Sequence, residues 1–211
     1  IQYMQHPTVE QGTEIRREWF EYVEQLPVGA REQCRVIDTA WTIKKSEKGD
    51  PDYTASVGSA MYNGWLYLLD PTKIRLELPD VVNWISDQKH LKPLVRFGMA
   101  HAAGEKISKQ FLTRQGVYIE DLEAETVDIR VRLVAFISFA SRGLVKLVGD
   151  KAKWEAFLSE ATSFPNGKHD DLLACCAGLT QMHGLSIRPN APPPIRRPNP
   201  YAFIDRKHGD R

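Results

Sequence analysis

Asn63 and Gly64 stand between two runs of extended character, T-A-S-V-G before them and W-L-Y-L-L-D after. Both residues tolerate a positive φ, which a two-residue hairpin turn requires at its corner. The pair therefore predicts an antiparallel pair of strands over 53–58 and 65–70. Upstream, C-R-V-I-D-T-A-W over 34–41 is a β-branched run that reads as an earlier strand, separated from the pair by the polar turn S-E-K-G-D-P at 46–51. The domain thus opens on a three-stranded antiparallel meander. Asp38 interrupts the first of these strands between Ile37 and Thr39. Aspartate is depleted in strands, so it is either a satisfied polar group at a strand end or a functional carboxylate.

Helices and strands alternate after the meander. Leu78-Pro79-Asp80 starts a helix with Asp80 as its cap and Val81, Val82, Trp84 and Ile85 as its apolar face. A fourth strand is expected over 94–100, a helix over 104–114, and a short fifth strand over 117–119. Leu133, Phe136, Ile137, Ala140 and Leu144 recur at helical spacing and predict a long helix over 128–145. The stretch 144–148 could instead be a short extended piece. A further helix is expected over 152–162. Residues 1–29 read as a lead-in with an amphipathic helix over 14–25, closed by Pro27. The chain begins on Ile1, which suggests a piece of a longer protein. Residues 187–211 hold A-P-P-P-I-R-R-P-N-P and end in R-K-H-G-D-R. This Pro-rich basic tail is too poor in apolar residues to fold alone; it suits DNA phosphates, partner docking or no role. The domain proper is expected over 30–186.

The stretch S-F-P-N-G-K-H-D-D-L-L over 163–173 joins a turn to a helix. Pro165 and Asn166-Gly167 supply the turn, Asn-Gly being able to take a left-handed backbone. Leu172, Leu173, Cys175, Cys176 and Leu179 then mark a buried helix face, with Asp170 and Asp171 on its first turn. Acids there commonly cap a helix. They could equally present a carboxylate to a divalent metal, provided acidic partners lie elsewhere in the chain. The bulk properties exclude several alternatives. The net charge is +1, so no global field points to nucleic acid. Cys34, Cys175 and Cys176 have no zinc spacing and suit reduced thiols in a cytosolic setting. Gly167-Lys168 is followed by His169, so it is not a nucleotide-triphosphate loop. No apolar run is long enough to span a bilayer.

Taken in order, Q-H-P with E-I-R-R-E-W-F, V-I-D-T-A at Asp38, D-Y-T at Asp52, W-L-Y-L-L-D, L-P-D at Asp80, A-A-G at Gly104, D-I-R-V-R from Asp128 and F-P-N-G-K-H-D-D-L-L cover most of the chain. In this order and spacing they resemble the C-terminal nuclease domain of the large terminase subunit of tailed bacteriophages, within the ribonuclease H-like superfamily. The resemblance implies a mixed sheet of about five strands, three antiparallel followed by two parallel additions, flanked by helices. It implies an endonuclease that cuts concatemeric DNA during genome packaging in the host cytoplasm. Carboxylates in that family hold two divalent ions about 4 Å apart, and Mg²⁺ or Mn²⁺ suits an all-oxygen site. By position, Asp38, Asp170 and Asp171 are the candidate metal ligands and catalytic acids. Which of the adjacent pair is a ligand stays open. Asp52, His101, Lys168, His169, Arg130 and Arg132 are candidates for supporting those ligands or touching the substrate. The implied partners are double-stranded DNA, an upstream ATPase domain, the portal and the small terminase subunit, with no membrane.

Two positions depart from the family pattern. An acid is expected at the end of the fourth strand, where Met99-Ala100-His101 stands, and another at Ala174. One weak metal site, substitution by His101, or an acid-to-Ala replacement at Ala100 would each account for the first. A non-catalytic DNA-binding or assembly module is the alternative function, since it would not need that acid. A junction resolvase or transposase core is a third, against which F-P-N-G-K-H-D-D speaks.

Overall fold

The expected hairpin closes at Tyr62 and Trp65, with Asn63 at φ 50° and Gly64 at φ 82° between them. These are the paired positive values of a turn whose twist matches that of its flanking strands. The structure is a computed structural model, and it describes residues 14–39, 53–76, 78–100, 106–122 and 127–185. Its elements in chain order are β1 (Phe20–Val23), β2 (Cys34–Asp38), β3 (Thr54–Tyr62), β4 (Trp65–Ile74), α1 (Leu78–Leu91), β5 (Arg96–Ala100), α2 (Lys106–Arg114), β6 (Glu120–Leu122), α3 (Ile129–Ser141), β7 (Val145–Val148), α4 (Glu155–Ser163) and α5 (Asp171–Met182).

One mixed sheet runs β1-β7-β4-β3-β2-β5-β6. The central β2, β3 and β4 are the expected antiparallel meander. On one side β5 and β6 add in parallel, as expected. On the other side β7 pairs parallel with β4 and β1 parallel with β7, giving seven strands rather than about five. Of the additional strands, β1 comes from the segment expected as a helix over 14–25, whereas β7 falls on 144–148, where a short extended piece is the alternative to the helix end. Over 14–25 there is only a short 3₁₀ turn, Arg17–Trp19, before β1. Its F-E-Y-V sequence satisfies a period of two as well as a helical one, and the open edge of β7 decides between them. Phe20 then packs edge-on against Phe157, ring centroids 5.3 Å apart.

The long helix stops at Ser141. Gly143 takes φ 67°, and the N–H groups of Gly143 and Leu144 bond back to Ala140 and Phe139. This left-handed C-terminal cap releases 145–148 to become β7. The fifth parallel-side strand lies three residues beyond its expected place. Val117 donates its N–H to Leu112 and so closes α2 rather than joining the sheet. The expected helix over 152–162 divides into a 3₁₀ turn, Lys151–Trp154, and α4. In the 163–173 turn neither Asn166 nor Gly167 takes a positive φ, and the Phe164–Pro165 peptide is cis.

The sheet separates two apolar layers. Val36, Val57, Leu66 and Leu68 face Leu133, Phe136, Leu172, Leu173 and Cys176 on the side of α3, α4 and α5. Ile37, Phe97 and Met99 face Val81, Ile85 and Leu112 on the side of α1 and α2. Helix α5 is buried along most of its length, and Gly178 sets how close it comes to the sheet. A Cβ there would lie 2.7 Å from Leu122 and 2.9 Å from Val36. Such contacts are too short for any larger residue without displacement.

Candidate active site

Strand β2 ends on Asp38. Cys34 and Val36 belong to the layer beneath α5, while Ile37 belongs to the opposite one. Strand alternation therefore turns Asp38 towards α5. Cys175, in the second turn of α5, lies against this residue: burial pushes its thiol well up, and the Asp38 carboxylate adds to the effect. Asp38 lines a cavity of about 220 Å³ with Arg132, Ala174, Gln181 and Leu185. The Nε of Arg132 is buried and without a hydrogen bond.

Asp170 and Asp171 begin α5, but neither role expected of acids at a helix start describes them fully. Asp170 occupies the capping position and makes no capping hydrogen bond. The residue as a whole is exposed, yet protein covers one side of its carboxyl. That loss of solvent, then the charge of Asp171, pushes its pKa up, and Arg132 pulls it back. Arg132 thus links the Asp38 cavity to Asp170. The parallel register pairs Ile37 with Met99, so position 100 is level with Asp38 on the adjacent strand. Ala174 lines the Asp38 cavity directly. Both departures from the expected acidic pattern therefore fall at this end of the sheet.

Other candidates are scattered. Asp52 and His101 lie outside the described residues, as does the stretch 187–211. Arg130 is exposed at the start of α3, where its backbone N–H bonds Asp128. Lys168 is exposed, and His169 meets Tyr53 edge-on at 5.6 Å between ring centroids. Among the described residues no three of His, Cys, Asp and Glu come together closely enough to hold a metal ion. The three cysteines are free and buried.

No family model and no curated protein matches the sequence. Solved structures do match. The large terminase nuclease of thermophilic phage G20c is similar at TM-score 0.56 and 14% identity, over 81% of this chain and 98% of that one. The fold is that of a large-terminase nuclease. The human cytomegalovirus terminase nuclease domain matches at TM-score 0.52 and 14% identity, over 72% of this chain and 83% of that one. The large terminase of a second thermophilic bacteriophage matches at TM-score 0.56 and 11% identity, over 82% of this chain but 45% of that one. The G20c nuclease is also similar in its forms with bound zinc, magnesium and cobalt, at TM-scores of 0.55, 0.55 and 0.52. The ribonuclease H-like expectation for the fold therefore holds, and the likeness carries the fold alone.

In this terminase-nuclease fold the start of α5 is held by two residues that the sequence did not single out. Glu160 of α4 accepts the N–H of Leu172 at 2.8 Å through Oε2, which caps α5 in place of Asp170. Its Oε1 lies 2.5 Å from the Lys73 ammonium of β4, and Lys73 lies 2.9 Å from Oδ2 of Asp171. Glu160 is 6% exposed, Lys73 15% and Asp171 20%. Burial disfavours the Lys73 charge, but hydrogen bonding to Glu160 and Asp171 prevails and raises its pKa. For Glu160 burial is the larger effect and raises the carboxyl against the pull of Lys73. A signal for Glu160 was present: it sits among Phe157, Leu158 and Ala161, all buried on one face. For Lys73 there was none, because the strand expected over 65–70 runs on to Ile74.

Proposed function

We propose that this chain is a divalent-metal-dependent endodeoxyribonuclease domain that cuts concatemeric viral DNA during genome packaging. The observation that carries the reading is the meeting of β2 and α5. Asp38 ends β2, Asp170 stands at the start of α5, and Arg132 lines the Asp38 cavity while its charge acts on Asp170. The donor set fits Mg²⁺ or Mn²⁺. It is all oxygen, and Mg²⁺ commonly keeps several waters while taking only one or two protein carboxylates. When bound, the ion supplies Lewis-acid activation of water and neutralises charge on the leaving oxygen.

Asp38 and Asp170 hold the ion on this reading, and Asp171 stays engaged by Lys73. Arg132, which lines the Asp38 cavity and whose charge acts on Asp170, steadies the acids and offers its guanidinium to a phosphate oxygen. Lys168 and His169 border a second, open groove of about 560 Å³ with Tyr53 and Lys73, where they are available to the DNA backbone. Nothing in the sequence resembles a base-reading motif, which supports cutting with little sequence preference. The chain spans 45% of the second phage's large terminase, which suits a nuclease half joined to an upstream ATPase domain. The portal and small terminase subunit are the proposed assembly partners, in the host cytoplasm. Among the described residues no helix is long and apolar enough to cross a membrane.

The test is plasmid cleavage with Mg²⁺, with Mn²⁺ and with EDTA. Cleavage that requires metal is expected. One observation favours a second reading, a DNA-binding assembly module without catalysis: position 100, level with Asp38, carries alanine. A folded chain that retains DNA but cuts it with neither ion would establish that alternative.

A further inference from the structure

We propose that Lys73 and Glu160 are positioning residues for the nuclease site, holding the first turn of α5 so that Asp170 can serve as its metal-facing acid. The inference rests on the nuclease reading above. Two adjacent carboxylates at a helix start repel one another, and the bare N–H groups there attract both. Left alone, either acid would fold back to cap the helix.

The structure forestalls this in two ways. Glu160, reaching from α4, already occupies the N–H of Leu172. Asp170 makes no capping bond although it stands in the capping position. Lys73, reaching from β4, engages Asp171 and balances part of the charge beside Asp170. The same ammonium holds Glu160 at 2.5 Å and lies 4.6 Å from the centre of the Tyr53 ring, which fixes its own place. One lysine therefore ties β4, α4 and α5 together at the point where the acids are presented. Neither residue faces the Asp38 cavity, whose lining includes neither Lys73 nor Glu160. Both line the second groove with Lys168 and His169, but the Lys73 ammonium is engaged by Glu160 and Asp171, so the pair acts through α5.

The experiment uses the full chain, wild type and two variants. Lys73→Met removes the tie but leaves Glu160 buried without its cation, which puts the fold itself at risk. The double variant Lys73→Met/Glu160→Gln removes the ion pair on both sides, a gentler change. Its glutamine oxygen still accepts the Leu172 N–H, so the cap on α5 is kept while the ties from β4 to α4 and to Asp171 are lost. Hydrogen exchange is measured in EDTA, and plasmid cleavage in Mn²⁺ gives kcat and KM. In the double variant, exchange over residues 168–176 should quicken about tenfold with the β3–β4 hairpin unchanged. The kcat should fall about tenfold, with KM for DNA within about threefold.

Unchanged exchange over 168–176, or an equal rise throughout the chain, would overturn the clamp. Local loosening with unchanged kcat would make it a structural tie alone and overturn the positioning role. A wild-type chain that cuts with neither Mg²⁺ nor Mn²⁺ would overturn the nuclease reading itself and this role with it. The exchange data distinguish that failure, because they need neither metal nor DNA.

Discussion

Acidification should destabilise this protein through His183, at the end of α5. Burial and the nearby Arg96 guanidinium push its pKa down from 6.5 to about 4. Its Nε2 lies 2.8 Å from the hydroxyl of buried Ser59, and Arg96 also donates to the carbonyl of Met182 beside it. The folded state therefore holds the ring neutral where the unfolded chain would protonate it. The unfolded state binds the extra proton, so stability is fully present above pH 6.5 and falls as the pH drops towards 4. With these two pKa values the loss between pH 7.5 and pH 5 is about 2 kcal/mol, and below pH 4 it levels off at about 3 kcal/mol. Other groups titrate over the same range, so the comparison is with His183→Gln, which keeps a polar partner for Ser59 and cannot titrate. Urea unfolding at pH 7.5 and pH 5 gives the four free energies required. Wild type should lose about 2 kcal/mol more than the variant over that interval. An equal loss in both proteins would refute the argument, because the imidazole would then titrate alike folded and unfolded.

Three further outcomes follow from the site and the core. Asp38→Asn should abolish metal-dependent plasmid nicking, by about a thousandfold or more on the scale of other essential catalytic groups, with an unchanged circular dichroism spectrum. Retained nicking would remove Asp38 from the active site. Ala100→Glu should raise Mn²⁺ affinity measured by calorimetry, because the register sets position 100 beside Asp38; no change would mean that the fourth-strand acid belongs elsewhere. Gly178→Ala should lower stability by about 1–3 kcal/mol in urea titration, since its methyl would meet Leu122 and Val36.

What the sequence discloses here is what neighbouring residues decide among themselves. The Asn63-Gly64 corner, the strand carrying Asp38 and the acidic start of α5 each depend on a few adjacent side chains, and each stands where it was expected. The strand β1 does not declare itself, and β7 shows only as an alternative to the end of a helix. Each is four residues long, too short for its period to exclude a helix, and each is stabilised by a partner far away in the chain. The same is true of the Lys73–Glu160 pair, whose members are 87 residues apart. Glu160 is anomalous in its own helix, but nothing local says that a lysine from β4 will meet it. The acids at the candidate site were legible as types and spacings. Their division of labour was not, because it depends on which neighbour captures the helix N–H groups and which captures Asp171.

The pairing of β1 with β7 also orders events in time. Glu21 and Lys146 join those strands with an ion pair across 125 residues of chain. The β3–β4 hairpin closes through two residues and gains its contacts at once. The β1–β7 pair must wait until the intervening chain has collapsed, because closing so long a loop in an unfolded chain loses entropy without any nearby contact to offset it. The N-terminal edge of the sheet is thus set to assemble after its centre, and the aromatic cluster of Phe20, Phe136 and Phe157 is completed only when that edge arrives.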